Sequence, residues 1–216
     1  MSNDAADAAL VHVIDDDQAV RDSLAFLLRT AGLACRLYPS ASHFLDTLDE
    51  VGGGCVITDV RMPEVDGLEL LRQLQGRGFL LPVIVITGHG DVPLAVSAMK
   101  AGAADFIEKP FDDDLLLSAV RNALNRQERL SRQDAARAEV QAKLAGLSTR
   151  EQQVLRGLVL GQPNKIIAFD LGISPRTVEI YRANVMTKMQ AGSLSDLVRM
   201  AMAVDLLQDA ASPDLS

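Results

Sequence analysis

The sequence predicts an open, doubly wound α/β domain with a five-stranded parallel sheet, then a helical linker and a small all-α domain of four helices. Three observations carry this expectation. Short apolar runs recur through the first half, as in LVHVIDD, CVITD, PVIVIT and DFIEKP, and alternate with segments of helical periodicity. Apolar strands separated by helices are the pattern of a parallel sheet covered on both faces. After Leu117, Val120 and Leu124 the apolar stripe lapses until Val140, Leu144 and Leu147, in a stretch rich in Arg, Gln, Glu and Ala. Such a segment favours helix yet has nothing to bury, so it reads as a solvated linker. Beyond Leu147 each apolar segment carries its own helix start and stop signals.

In chain order, strands are expected near residues 10–14, 34–38, 54–58, 83–86 and 105–107, and helices near 18–31, 41–49, 66–76, 92–101 and 112–126. Gly32, Gly76 and Gly102 fall where helices should end, because glycine accepts the left-handed backbone of a C-cap. Asp112, Asp113 and Asp114 look like a metal cluster but open the fifth helix, where carboxylates cap free N–H groups and complement the dipole. The linker is placed at 127–143. Ser148 and Glu151 then form an S-x-x-E capping box before VLRGLVLG, and NKIIAFDLG, ISPRTVEIYRANVMTKM and SLSDLVRMAMAVDLL supply three further helices. Gly172 ends one helix, Ile173 plugs the turn, and Ser174 and Pro175 stand at the N-cap and first position of the next. This is helix-turn-helix spacing, which plain helical bundles share.

With 216 residues and 48% apolar content, one or two domains with ordinary cores are expected. The longest apolar stretch, FLLPVIVI, is too short for a bilayer, and no Lys or Arg precedes Arg21 to begin a signal peptide. The expectation is therefore a cytoplasmic protein with no membrane partner. The first nine residues read as an Ala/Asp-rich lead, and Cys35 and Cys55 as small core residues of a reducing compartment. The net charge of −8 hides two halves, −10 over residues 1–125 and +2 over 126–216. An acidic half suits a metal and phosphoryl pocket, and a mildly basic half can meet a polyanion.

Asp15 with Asp16, Asp59, Thr87 and Lys109 each follow an apolar run directly. That puts all of them at the C-terminal ends of strands, the edge where open α/β sheets place ligands. Taken singly, each has an ordinary reading as a cap, a turn residue or a solvated lysine. As a set they define a crevice. Clustered carboxylates repel unless a cation neutralises them, and hard oxygen donors suit Mg²⁺. A carboxylate can attack phosphorus once that charge is balanced. Asp59 is the expected nucleophile, Asp15 and Asp16 the metal holders, Thr87 a hydroxyl donor to a phosphoryl oxygen, and Lys109 a point positive charge.

The series DD, D, T, KP, with VITDVRMP, ITGHGDV and AMKAGAADFIEKPF, resembles the receiver domain of two-component response regulators over residues 8–126. The resemblance implies strand order 2-1-3-4-5 and phosphotransfer from a sensor histidine kinase to Asp59. It implies Mg²⁺ held by Asp16, Asp59 and the main-chain carbonyl of Arg61, with Asp15 acting partly through water. It implies a switch in which Thr87 and Phe106 turn inward and remodel the face of the fourth and fifth helices. Lys109–Pro110 is a candidate cis peptide on the same ground. Beyond self-catalysed phosphotransfer and dephosphorylation, no enzyme activity is expected. Arg61 and His89 would flank the path of hydrolytic water, or His89 is an ordinary loop residue.

LSTREQQVLRGLVLGQPNKIIAFDLGISPRTVEIYRANVMTKM resembles the LuxR-type helix-turn-helix, over residues 144–207. Such domains bind promoter DNA as dimers through the third helix. On a helical wheel Val178, Val185 and Met189 face the core, turning Arg176, Ile180, Ala183 and Thr187 outward with Glu179 and Asn184 beside them. These residues and Thr177 are expected at the major groove, and Lys165, Arg182 and Lys188 at phosphates. In the last helix Leu194, Leu197, Val198 and Ala201 are the expected inward stripe. Met200, Val204 and Leu207 form a second stripe, covered by another copy or by the linker.

Within the family, ITGHGDVP, KAGAADFIEKPF, PNKIIAFDLGISPRTVE and RANVMTKM are similar to regulators of nitrogen fixation, although Tyr181 stands where relatives often have His. That implies an oxygen-sensing haem kinase, RNA polymerase and a phosphorylation-dependent homodimer as partners, and genes for nitrogen fixation or microaerobic life as targets. Two rivals remain. A phosphate-ester hydrolase lacks a second acid two residues after Asp59, and a phosphate sink or relay without DNA output leaves the C-terminal pattern unused.

Overall fold

The computed structural model describes residues 10–88, 92–204 and 206. The chain divides into two compact units, Met1–Leu130 and Ser131–Ser216. The division falls inside the stretch expected to be linker.

The first unit alternates β1 (Val11–Ile14), α1 (Gln18–Thr30), β2 (Cys35–Tyr38), α2 (Ala41–Asp46), β3 (Cys55–Asp59), α3 (Gly67–Gly76), β4 (Val83–Thr87), α4 (Val92–Lys100) and β5 (Asp105–Glu108). The five strands are all parallel, in the order β2-β1-β3-β4-β5. Side chains alternate across the sheet, so each face has its own core. Ile14, Val56, Val83 and Val85 join Phe44, Leu71, Leu74 and Ala98 on one side. Val11, Val13, Ile57, Ile84 and Ile86 join Leu24, Leu28, Leu116 and Val120 on the other. The sheet is thus covered on both faces, as strands without a polar side require.

One boundary and one capping glycine differ from the sequence reading. The second helix stops at Asp46, where the Thr47 amide turns to the Phe44 carbonyl three residues back, and a single 3₁₀ turn, Leu48–Glu50, follows. The third helix ends at Gly76 as expected, but the left-handed position is taken by Gly78, at φ 79°. Gly32 and Gly102 adopt positive φ as expected.

α5 (Asp113–Ala145) is one continuous helix of 33 residues. Its start is capped by Asp112, whose carboxylate accepts from the Asp114 amide, so the acidic triplet serves the helix end. The second unit adds α6 (Thr149–Val159), α7 (Asn164–Leu171), α8 (Pro175–Met189) and α9 (Leu194–Ala203). Val140 and Leu147 share its core with Val154, Leu158, Ile167, Val178, Val185, Met189 and Leu197. The capping box of Ser148 and Glu151 is formed, and Ser174 caps α8 by accepting from the Thr177 amide. Gly172 closes α7 at φ 65°, and Ile173 packs into the core beneath the turn. Leu194, expected inward, is exposed, whereas Met200 and Val204 of the second stripe pack on the unit's own core. Leu207 lies outside the described residues.

Candidate functional site

Register alone brings the chemistry together. Ile14 pairs with Thr58, Asp59 with Ile86, and Thr87 with Glu108, so the residue ending or following each strand reaches the same sheet edge. Lys109 is the hub. Its ammonium donates to Asp59 Oδ1 at 2.9 Å and to Asp15 Oδ2 at 3.2 Å. Asp15 and Asp59 are 5% and 12% exposed and Lys109 26%, so these ion pairs form largely out of water, where they are screened least. The Lys109–Pro110 peptide is cis.

The remaining carboxylate oxygens are held by backbone. Asp15 Oδ1 accepts from the Asp17 amide at 2.9 Å, and Asp59 Oδ2 accepts from the Arg61 amide at 2.7 Å. Burial pushes the Asp15 carboxyl up, against the pull of the Asp17 amide and Lys109. Burial pulls the Lys109 ammonium down, but its hydrogen bond to Asp59 and the charges of Asp15 and Asp59 prevail, so it stays protonated well past neutrality. The backbone under Asp59 is equally fixed: the Thr58 hydroxyl donates to the Asp59 carbonyl, and Gly67 approaches it so closely that a Cβ would lie 2.3 Å from that oxygen. Thr87 is fully buried, and Phe106 is half-buried against the core of that sheet face.

The three carboxylates expected at the crevice are not placed alike. Asp15 and Asp59 converge on Lys109, while Asp16 turns to the exposed side. Among the described residues no three acidic, His or Cys side chains stand grouped as a ready metal cluster. The donor chemistry nonetheless fits Mg²⁺: every candidate ligand is a hard oxygen, and the Arg61 amide bond to Asp59 brings that peptide to the same corner. Arg61 is exposed, and His89 lies outside the described residues. Sequence reasoning missed Arg21, whose guanidinium donates to the Asp15 carbonyl at 2.6 Å and braces the acidic loop from α1. Its place in the first turn of the helix that follows the Asp pair was the available signal.

In the second unit, Arg176, Glu179, Ile180, Ala183, Asn184 and Thr187 are exposed along α8, Thr177 and Arg182 are half-buried, and Lys165 is exposed on α7. Lys188 requires correction. Its ammonium donates at 2.7 Å to Glu151, a carboxylate 3% exposed that also accepts from the Ser148 amide and hydroxyl. The lysine therefore ties the end of α8 to the start of α6 instead of standing ready for a phosphate. The Lys188 hydrogen bond, with those of Ser148, holds the Glu151 carboxyl down to about 2.

The fold agrees with the family comparisons. The response regulator receiver domain model matches residues 11–121, and the model for bacterial regulatory proteins of the luxR family matches 145–201. The chain belongs to the two-component response regulators that carry a LuxR-type DNA-binding domain. It is 63% identical to the transcriptional regulatory protein FixJ of Azorhizobium caulinodans, over 89% of this chain and 91% of that one. Among solved structures, full-length FixJ from B. japonicum is 52% identical, with a TM-score of 0.58 over 92% of this chain and 98% of that one. The response regulator StyR is 38% identical, with a TM-score of 0.82 over 90% and 98%. Membership implies a histidine kinase and DNA as partners. Among the described residues no helix is long and apolar enough to cross a membrane.

Proposed function

We propose that Asp59 accepts a phosphoryl group from a histidine kinase, and that this drives dimerisation and sequence-specific promoter binding to activate transcription. The double hydrogen bond of Lys109 to Asp15 and Asp59 is the observation that carries this reading. An Asp59 oxygen attacks the phosphorus of a phosphohistidine; the P–O bond forms, the P–N bond breaks, and its electron pair returns to the imidazole. Lys109 stays beside the acyl phosphate as the fixed positive charge, and the Thr87 hydroxyl donates to a phosphoryl oxygen. Asp16, Asp59 and the Arg61 carbonyl, with Asp15, would hold Mg²⁺, which supplies charge neutralisation of the transferring group. Inward movement of Thr87 and Phe106 then shifts a pre-existing equilibrium of the receiver. The relatives named FixJ support target genes for nitrogen fixation.

The test is sedimentation of the full chain with Mg²⁺ and a small phosphodonor, beside an Asp59→Asn control. The expected result is a dimer for the wild type alone. A phosphoryl group found on the Asp59→Asn chain by mass spectrometry would remove the site, and a phosphorylated chain that stays monomeric would remove the dimer switch.

A further inference from the structure

The reading face of α8 has donors at its start and side but none along its centre. Ile180 is 57% exposed, and Ala183 adds a methyl one turn on. Thr187 comes next on the same stripe, but its hydroxyl donates to the Ala183 carbonyl at 3.0 Å, committing that hydrogen to the helix and leaving the γ-methyl as its contribution. Near the start of the helix the hydroxyls of Ser174 and Thr177 pair with each other at 2.8 Å. Arg176 is the donor at one end, and Glu179 and Asn184 stand to the side. A single exposed isoleucine is ordinary on any surface. Three methyl-bearing residues in one stripe of the helix that enters the groove form a continuous apolar strip.

The major groove offers one apolar feature to such a strip, the C5-methyl of thymine. Resting on the DNA-binding reading above, we infer that Ile180, Ala183 and Thr187 read thymine methyls and make the centre of each half-site thymine-specific. From Ile180 to Thr187 the helix advances about 10 Å. That reaches about three base steps at 3.4 Å each. Two or three thymines therefore fall within about four consecutive base pairs.

The full chain, with Mg²⁺ and a small phosphodonor, selects a site from a randomised double-stranded DNA library, and each thymine of that site is then replaced singly by uracil. Uracil pairs identically and lacks only the methyl. At least two neighbouring replacements in a half-site should each weaken binding about fourfold, the worth of one buried methyl-sized group. Ile180→Ala, at an exposed position where the fold does not depend on the side chain, should erase the loss at one of them and leave the other. Equal affinity for uracil throughout the half-site, or losses untouched by Ile180→Ala, would overturn the inference. A wild-type chain that enriches no sequence would overturn the DNA-binding reading itself, and this inference with it.

Discussion

Lys109 shows how much one side chain decides at the strand edge, since it donates a hydrogen bond to both inward carboxylates. Lys109→Gln keeps a donor, one atom shorter, but removes the charge. Phosphoryl uptake at Asp59 from a small donor should then fall about a hundredfold, the usual loss when one preorganised charge donor is removed. A rate within twofold of wild type would assign Lys109 to structure alone. Glu151 is the matching residue in the second unit. Its folded value is depressed, so its contribution to stability is complete above the ordinary 4.5 and fades as the pH falls towards about 2. Amide exchange in α6 and α8 should be faster in Glu151→Gln than in wild type at neutral pH, with the gap closing across that acid range. The receiver residues were legible because a polar residue that ends a buried apolar run can lie only at the sheet edge. The engagement of Lys188 was not, because spacing along α8 gives its side of the helix and says nothing of a carboxylate 37 residues earlier. The exposure of Asp16 beside the buried Asp15 was not legible either, because adjacency does not give two side chains one direction.

Elements were legible where one local cause dominates. The apolar strands, the capping box and the Gly172 turn each rest on a few adjacent residues, and they stand where periodicity placed them. The end of α2 carries no glycine or other stop signal, and α9 buries Leu197 and Ala201 of one stripe while Met200 and Val204 of the other pack on the same core. Neither outcome is set by adjacent residues alone. Gly67 links element to site. It opens α3 directly against the Asp59 carbonyl, so an added methyl must displace either the helix start or the end of β3. Gly67→Ala should cost about 1–3 kcal/mol by urea unfolding, as overpacking does elsewhere. It should also slow phosphoryl uptake, because β3 carries Asp59. Full stability together with normal uptake would mean that the strand end yields freely.

At the scale of the whole chain, charge argues for action in pairs. The second half is only mildly basic, and with Lys188 tied to Glu151 the cations left for phosphates from the expected set are Lys165 and Arg182. Two phosphate contacts give a dependence of log affinity on log salt of about −2, weak for one head at physiological ionic strength. Two heads joined in a dimer gain avidity with no new kind of contact, and the slope should steepen to about −4. The prediction is therefore a comparison: titrations of one DNA site against salt, with and without a phosphodonor, should differ in slope by nearly a factor of two. Lys165→Gln should shallow the phosphorylated slope, by about one unit per head. Lys188→Gln should leave the slope unchanged while loosening α8. If the phosphorylated chain kept the slope of the unphosphorylated one, each head would be acting alone, and control would have to come from exposing the reading helix instead of doubling it.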